Sequence, residues 1–337
     1  MRPVLKKEVV AIVSYPTDGH AQYVADKLRK RAIRNIMLNV GDFPQELEIG
    51  LTIESASKHN ICFSLNGEKI HSETIHSFWW RRPLGSYREE STDPIVKYVS
   101  SESEALIRSI PDFFTRAVWV SDPNATREAG RKPRQLKIAS GLGLRIPRSL
   151  VSNSPESVRK FLLESGTTPL IMKAVNSAFV RINPKVKDTE HMNRVIYTKL
   201  VTPEFINANL DRITSCPFIL QEAITKEMDI RVTVAGNQVF AMGITTNMPK
   251  NSPETVDWRR MDAERIYSLH TLPLKIASAC IDVIKQLGLK FGCIDLGFSE
   301  KEGYTFFEVN PQGQWLVSEQ VLGYPIADAV IDLLTTS

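Results

Sequence analysis

The feature that most constrains this 337-residue chain is a pair of strand patterns near its C-terminal end, at residues 292–298 and 304–310. Both patterns are apolar, but the first carries Asp295 and the second carries Glu308 and Asn310. Residues two apart in a strand share a face, so Glu308 and Asn310 should point the same way. A short loop joins the two patterns, and an antiparallel pair could therefore present Asp295 beside them.

These three side chains have the chemistry of a magnesium site. Two carboxylates and an amide oxygen are hard oxygen ligands, which suit a Mg²⁺ ion that also binds nucleotide phosphates. Burying them among apolar residues is costly unless a cation is present. The alternative is that they are ordinary polar residues at strand ends, bonded to a turn. We predict that Asp295, Glu308 and Asn310 hold a metal at the mouth of the second strand, which Pro311 ends.

Basic side chains in strand patterns form a second group of candidates. Lys173 lies within the apolar run 170–174, where a lysine is costly to bury unless an anion meets it. A nucleotide phosphate is one such anion, and a lysine that reaches solvent from an edge strand is the alternative. Asp229 and Arg231 share one strand face, which either a salt bridge or ligand contacts would explain.

Weaker signals come from two other segments. Gln221, Glu222 and Ile224 lie at the end of a strand pattern and could present backbone and carboxylate groups to an adenine and a ribose. Lys132 is placed in a basic loop and Lys137 in the helix predicted to follow it, from about residue 134 to 140. Lysines in such positions are more often simply solvated.

Length and element order predict an α/β protein of three units. A single hydrophobic core stops growing at about 250–300 residues, so a chain of 337 residues needs more than one. Residues 1–122 are predicted to form an N-terminal α/β unit that begins with a buried strand at 9–13. A break at 121–124 precedes a central unit, 123–215, and a C-terminal α+β unit, 216–337.

Composition argues against several classes of protein. A net charge of +4 does not favour a nucleic-acid partner. The apolar run at 9–13 is too short for a signal-peptide core, and nothing reaches the roughly 18 apolar residues of a membrane span. We therefore expect no membrane partner and a cytoplasmic location. The four cysteines form no metal-ligand pattern, so we expect reduced thiols: Cys62, Cys216, Cys280 and Cys293.

Taken in order along the chain, the candidates resemble the motif series of the ATP-grasp superfamily. That series is a first lysine, a second strand lysine, a Gln-Glu hinge, an Asp-x-Arg hairpin and a final Asp…Glu-x-Asn set. Here it would fall on Lys132 or Lys137, Lys173, Gln221-Glu222, Asp229-Ile230-Arg231, and Asp295 with Glu308-Val309-Asn310. Lys132 is preferred as the first lysine because its distance to Gly143 and Pro147 looks like the family's spacing.

A closer resemblance is to the ATP-grasp peptide macrocyclases of microviridin-type (graspetide) biosynthesis. The segments that carry it are Trp79–Pro83, Gln135-Leu136, Asp257-Trp258-Arg259 and Phe307–Trp315. Ligases that add glutamate to protein tails usually carry a glycine-rich lid after the second lysine, whereas residues 175–178 contain no glycine. This difference favours the macrocyclase branch.

The resemblance implies an ATP-grasp fold: an N-terminal pre-ATP-grasp domain, a central domain and a C-terminal domain. It implies ATP and Mg²⁺ as cofactors, with Lys132 and Lys173 neutralising phosphates. The enzyme would phosphorylate Asp or Glu side chains of a ribosomally made precursor peptide, and Ser, Thr or Lys side chains would then close ester or amide rings. Arg231 and Arg259 would stabilise the charge that develops at the acyl phosphate.

The resemblance also implies partners. A leader segment of the precursor, which precedes an acidic core, would dock on the central domain; residues 181–199 and the helix start at 202–204 are candidates, and an ordinary surface loop is the alternative. The pair Arg81-Arg82 is interpreted as either a structural arginine pair or part of the path of the acidic peptide. We expect a homodimer. Two other functions stay open: a ligase that adds an amino acid to a small molecule or protein tail, and a non-catalytic, nucleotide-dependent peptide-binding module.

Overall fold

The computed structural model describes residues 8–56, 58–65, 67–83, 93–176, 179–180, 194–195, 198–246 and 264–336. Over these residues the chain is a mixed α/β protein, as the sequence predicts. Arg259 and most of the candidate leader-docking segment, including 181–193, lie outside the described residues.

The N-terminal unit contains one parallel and one antiparallel sheet. Its elements are β1 (Val9–Ser14), α1 (Gly19–Lys30), β2 (Asn35–Leu38), β3 (Leu47–Ser55), β4 (Lys58–Leu65), β5 (Glu68–His71), β6 (Ile75–Arg82), α2 (Pro94–Phe113) and β7 (Val118–Val120). The parallel sheet has the order β2-β1-β6-β7, and β3, β4 and β5 form an antiparallel meander. Every residue of β1 is buried, which explains its unbroken apolar pattern.

Several local predictions for this unit are confirmed. The strand predicted at 9–13 is β1, and the Asp18 side chain accepts a hydrogen bond from the His20 amide at 3.0 Å, which caps α1. Asn66-Gly67 is a two-residue hairpin signal in the sequence, and the strands on either side of it, β4 and β5, pair with each other. The sequence pattern predicts a second strand at 35–40, but β2 ends at Leu38, because the Asn39 side chain accepts a hydrogen bond from the Gly41 amide and a helical turn begins.

The next stretch corrects a prediction. Two helices, α3 (Pro123–Ala129) and α4 (Lys132–Gly141), occupy the segment expected to be a basic loop. Asp122 caps α3 by accepting from the Ala125 amide, and a proline suits the first turn of α4, which starts before the predicted residue 134. Lys132 therefore stands at the start of a helix, not in a loop.

The central unit is a small antiparallel sheet covered by helices. Its elements are β8 (Ser149–Ser152), α5 (Pro155–Ser165), β9 (Leu170–Lys173), β10 (Phe179–Val180), β11 (Arg194–Val195), β12 (Lys199–Val201), α6 (Pro203–Asn207), α7 (Leu210–Ile213) and β13 (Phe218–Glu222). The sheet order is β12-β9-β13-β8, and β10 pairs with β11 separately. Ser154 followed by Pro155 predicts a helix start, and the Ser154 side chain accepts a hydrogen bond from the Ser157 amide at the start of α5.

The C-terminal unit is built on a five-stranded antiparallel sheet of order β16-β15-β14-β17-β18. Its elements are β14 (Met228–Ala235), β15 (Gln238–Thr246), β16 (Arg265–His270), α8 (Leu274–Gln286), β17 (Phe291–Ser299), β18 (Gly303–Asn310), α9 (Leu316–Leu322) and α10 (Ile326–Thr335). In the sequence, Gly236-Asn237 between two strand patterns predicts a hairpin and Pro273 predicts the start of a long helix. Both are present. Helix α4 packs with α8 in the core of this unit.

The N-terminal unit docks on the C-terminal one through α1, α9 and α10. Residues from both units share one apolar core that includes Val24 and Val330. At its rim, Lys27 Nζ lies 3.0 Å from Glu319 Oε1 and 3.1 Å from Asp328 Oδ2. Among the residues that the structure describes, no helix combines the length and apolarity needed to cross a membrane.

Candidate functional site

The predicted pairing of Asp295 with Glu308 is present at the centre of the site. Strands β17 and β18 are antiparallel, and Asp295 stands opposite Glu308 in register. Asn310 lies near them, because its side-chain Nδ2 donates to Asp295 Oδ2 at 3.1 Å. The structure thus brings together the three predicted metal ligands at the end of β18.

A β-bulge lies beside this pair, and the sequence pattern does not predict it. Glu308 pairs with Asp295, but Phe306 already pairs with Leu296, so Phe307 is the extra residue. Bulges commonly occur next to active sites, where they re-aim a side chain. Here Phe306 and Val309 are both buried in the core, while Glu308 and Asn310 keep partial exposure. The bulge therefore turns the polar pair toward the open side of the sheet.

Arg231 is held against the carboxylate of Asp295. The two residues are register partners on β14 and β17, and Arg231 Nη1 lies 2.8 Å from Asp295 Oδ1. Both residues are buried, at 5% and 7% exposed. Burial is the largest single effect and lowers the pKa of Arg231, but the charge and hydrogen bond of Asp295, together with other nearby groups that include Glu308, raise the pKa above its usual value. Arg231 is therefore a permanent cation next to the candidate ligands.

Lys132 approaches the same site from the first turn of α4. Its Nζ lies 3.6 Å from Glu308 Oε2 and donates to the carbonyl oxygen of Ala174 at 3.1 Å. Ala174 follows Lys173, the partly buried last residue of β9, so one contact joins the segments of both candidate lysines. Lys137 is exposed on the same helix. The geometry thus places Lys132, rather than Lys137, beside Glu308.

The remaining candidates lie along the central sheet and the next hairpin. Gln221 is buried, and its Nε2 donates to Ser149 Oγ at 2.6 Å, so its side chain is engaged within the sheet. Glu222 lies 3.5 Å from Arg148 Nη1. Asp229 accepts from Lys226 Nζ at 2.5 Å. Ile224 is partly buried in the segment that leads from β13 to β14.

The donor set fits a divalent cation in its chemistry. Two carboxylates and an amide converge, and the bond from Asn310 to Asp295 uses the amide nitrogen rather than the oxygen that would bind a metal. Over the described ranges, no cluster of three or more His, Cys, Asp or Glu side chains could hold a metal. The candidate site thus depends on an amide as its third ligand.

The N-terminal unit supports this site in a way that sequence reasoning missed. Arg81 is only 1% exposed, which favours a structural role over a place in the path of the peptide. Its Nη1 donates to the carbonyl oxygens of Gln312 and Gly313, the latter at 3.1 Å, and its Nε lies 3.3 Å from Asp18. Arg231 Nη2 in turn donates to the Gln314 carbonyl at 3.3 Å. Two buried arginines therefore hold the loop that follows β18.

Gly313 allows this loop to approach so closely. A Cβ atom on Gly313 would lie 2.4 Å from Cys293 Cβ and 2.6 Å from Arg231 Nη2, closer than atoms can pack. The sequence signal for both features is the motif Phe307–Trp315, which singles out the segment without saying what holds it. Of the leader-docking candidates, the helix start is described: Thr202 Oγ1 accepts from the Phe205 amide at 3.2 Å.

Known protein families match nearly the whole chain. A family model described as the MvdD pre-ATP grasp domain matches residues 9–127, and a model described as the RimK-like ATP-grasp domain matches residues 129–334. No curated protein sequence matches significantly.

Among similar solved structures is the macrocyclase MdnC of Microcystis aeruginosa MRC, bound to its precursor peptide MdnA. It is 23% identical with a TM-score of 0.83, and the match covers 98% of this chain and 100% of that one. The macrocyclase MdnB of the same organism is 26% identical with a TM-score of 0.79, covering 98% and 100%. The ATP-grasp ligase PsnB, complexed with minimal precursor, Mg and ADP, is 22% identical with a TM-score of 0.72, covering 99% and 99%.

The RimK-like model alone spans more than half of the 337 residues, and the pre-ATP-grasp model covers most of the rest. The fold agrees with both, and the candidate lysine, arginine and carboxylates lie in the order that the superfamily motif requires. The chain therefore belongs to the RimK-like ATP-grasp ligase family, with an MvdD-type pre-ATP-grasp domain at its N-terminal end.

Proposed function

We propose that this enzyme uses ATP and Mg²⁺ to close rings in a ribosomally made precursor peptide. An Asp or Glu side chain of the peptide is phosphorylated, and a Ser, Thr or Lys side chain of the same peptide displaces the phosphate. Each ring thus joins a carboxylate to a hydroxyl or an amine, as an ester or amide, with release of ADP and phosphate. The proposal rests first on the convergence of Asp295, Glu308 and Asn310 beside Lys132 and Arg231.

Phosphoryl transfer needs positioning and charge neutralisation more than covalent chemistry from the protein. Asp295, Glu308 and Asn310 would hold Mg²⁺, which neutralises the ATP phosphates when bound. Lys132, 16% exposed at its side chain, can turn from Glu308 and Ala174 toward a phosphate, and Lys173 would act from the neighbouring strand. Arg231 is permanently charged and would stabilise negative charge at the acyl phosphate, with Arg259 as a second cation. Gln221, Glu222 and Ile224 would contact the adenosine.

Two observations favour a peptide as substrate. MdnC was crystallised with its precursor peptide, and PsnB with a minimal precursor, and this chain matches nearly the full length of both. The segment after Lys173 lacks the glycine-rich lid of ligases that extend protein tails. A leader segment would dock on the central unit. The proposal includes a homodimer in the cytoplasm, with no nucleic-acid or membrane partner.

The decisive experiment is intact-mass analysis of a candidate substrate. The enzyme is incubated with ATP, Mg²⁺ and an acidic peptide rich in Ser, Thr or Lys that is encoded beside its gene. We expect the peptide to lose the mass of one water molecule per ring, in step with ADP release. Glu308→Gln should abolish both, because it removes a charged ligand while keeping the shape of the side chain. Glu300→Gln, at an exposed position just beyond β17, is the matched control.

Other outcomes separate the alternatives. A gain in mass equal to an added acceptor would replace the macrocyclase with a ligase that adds amino acids. Binding of ATP without ADP release under any peptide would favour a non-catalytic peptide-binding module. Water loss that persists in Glu308→Gln would leave the reaction in place but remove Glu308 from the metal site.

A further inference from the structure

Strand β18 lies at the edge of the five-stranded sheet, and beyond that sheet the described chain pairs with it only at an isolated bridge between Arg145 and Thr305. An edge strand presents backbone N–H and C=O groups that need partners when they are buried. Val309, between Glu308 and Asn310, is one such residue, because its side chain is 3% exposed and its backbone faces α4.

Gln135 supplies the missing partner. Its Oε1 accepts from the Val309 amide at 2.9 Å, and its Nε2 donates to the Val309 carbonyl at 2.8 Å. The same Nε2 donates to the Ala129 carbonyl at 2.7 Å, which ties the side chain to the end of α3. Gln135 is 1% exposed, so water does not compete for these bonds. One side-chain amide therefore pairs with Val309 as a neighbouring strand would.

Gln135 lies one helical turn after Lys132 on α4. Residues three apart in a helix lie on the same face, so Gln135 and Lys132 face β18 together. Lys132 Nζ reaches Glu308, and the Gln135 amide holds the residue that follows it. The bonds between Gln135 and Val309 thus tie α4, which carries the candidate phosphate-binding lysine, to the strand that carries Glu308 and Asn310.

We propose that Gln135 is a positioning residue, which sets the place of Glu308 and Asn310 for metal binding without touching metal or substrate. The inference rests on the proposed function only in assigning Mg²⁺-nucleotide binding to this site, and it does not depend on the identity of the peptide. Outer partners that orient metal ligands commonly change metal affinity or activity by about 10- to 100-fold when mutated.

The test measures Mg²⁺-dependent binding of a non-hydrolysable ATP analogue by calorimetry, without peptide, together with the Mg²⁺ concentration for half-maximal ADP release. Gln135→Ala should raise both the dissociation constant and the Mg²⁺ requirement by about tenfold or more. Gln135→Glu is the second variant, because it keeps the length and the acceptor but loses the donor when ionised. It should show the same rise, even if Gln135→Ala folds poorly.

Leu144→Ala is the control for loss of packing. Leu144 is buried in the core that α4 shares with the C-terminal sheet, so its truncation lowers the melting temperature through a cavity. We expect its Mg²⁺ requirement to stay within about twofold of wild type at a matched loss of melting temperature. A Mg²⁺ requirement within about twofold of wild type in both Gln135 variants, or an equal rise in Leu144→Ala, overturns the proposal.

Discussion

Arg81 and Gly313 lie 232 positions apart, and yet the guanidinium Nη1 of Arg81 donates to the carbonyl oxygen of Gly313 at 3.1 Å. The contact joins the end of strand β6 in the N-terminal unit to the loop that follows the candidate metal ligands. Asp18, which caps helix α1, lies 3.3 Å from Arg81 Nε. The pre-ATP-grasp unit is therefore part of the support of the site, not a separate attachment.

Replacing Arg81 with lysine should weaken both folding and turnover. A lysine has one point charge in place of a planar fork and cannot bond two carbonyls and Asp18 at once. We expect Arg81→Lys to lower the free energy of unfolding by about 2–4 kcal/mol, because Asp18 is left buried with a poorer partner. ADP release should fall by about tenfold as the loop loosens. Urea denaturation and coupled ADP assays measure the two effects.

Arg82→Lys is the matched control, since Arg82 is the neighbouring arginine on the same strand and is partly exposed. Its free energy of unfolding should stay within about 0.5 kcal/mol of wild type. An equal loss of unfolding free energy in the two variants would show that the buried Arg81 does not hold the loop.

The sequence is informative where contacts are local or follow strand periodicity. The two-residue period is enough to predict that Glu308 and Asn310 share a face, and the short loop predicts that β17 and β18 are antiparallel neighbours. Continued without a bulge from the pair of Ser299 and Gly303, however, that register would set Asp295 opposite Phe307. A bulge changes that period by one residue, and no residue type marks it in advance. The role of Phe307 as the extra residue therefore cannot be predicted from the pattern.

The sequence is less informative where distant segments pack together. Charged residues and Gly130 interrupt any apolar stripe around Lys132, which favours a loop. Tertiary packing nevertheless stabilises two short helices there, and Asp122 caps the first of them. The bonds of Arg81 and Gln135 to backbone carbonyls leave no trace in periodicity. Such contacts form between segments that are distant in the chain, so local sequence patterns do not reveal them.

For the buried pair of Arg231 and Asp295, we expect that stability can be restored without restoring activity. Asp295→Asn leaves the buried charge of Arg231 beside a neutral amide, so the free energy of unfolding should fall by about 3–5 kcal/mol. The double variant Arg231→Met with Asp295→Leu removes both charges and should recover most of that loss. Neither variant should release ADP. Urea denaturation measures the free energy of unfolding of both variants, and ADP assays measure their activity. A stable, active Asp295→Asn would contradict the assignment of Asp295 as a metal ligand paired with Arg231.

Gly313 predicts a steric effect on the same arginine. The Cβ atom of Gly313→Ala would overlap Cys293 and Arg231, so the loop or the guanidinium must shift. Overpacking of this kind costs about 1–3 kcal/mol of unfolding free energy, and displacement of Arg231 should lower ADP release as well. Gly50→Ala is the control, because a Cβ there meets nothing within 4 Å. Wild-type stability in Gly313→Ala would mean that the loop packs less tightly against Cys293 and Arg231 than the structure indicates.

His20 predicts the pH dependence of stability. Its ring packs edge-on against Trp315 with centroids 5.0 Å apart, near Arg81. Burial, and then the positive charge of Arg81, lowers the pKa of His20 from 6.5 to about 3. The unfolded chain therefore takes up a proton as the pH falls through 6.5, while the folded protein does not until about pH 3. Proton uptake by the unfolded state favours unfolding, so stability is lost as the pH falls below 6.5.

The loss should approach about 1.4 kcal/mol per pH unit, the free energy of one pKa unit. We expect His20→Gln to remove this part of the pH dependence, because glutamine takes up no proton in that range. The difference in unfolding free energy between about pH 7.5 and about pH 5.5 should then shrink by about 1 kcal/mol relative to wild type, measured by urea denaturation. His71→Gln, at an exposed position on β5, should leave the difference unchanged. An unchanged difference in His20→Gln would mean that the ring is protonated as readily in the folded protein as in the unfolded chain, and that Arg81 and burial do not keep it neutral.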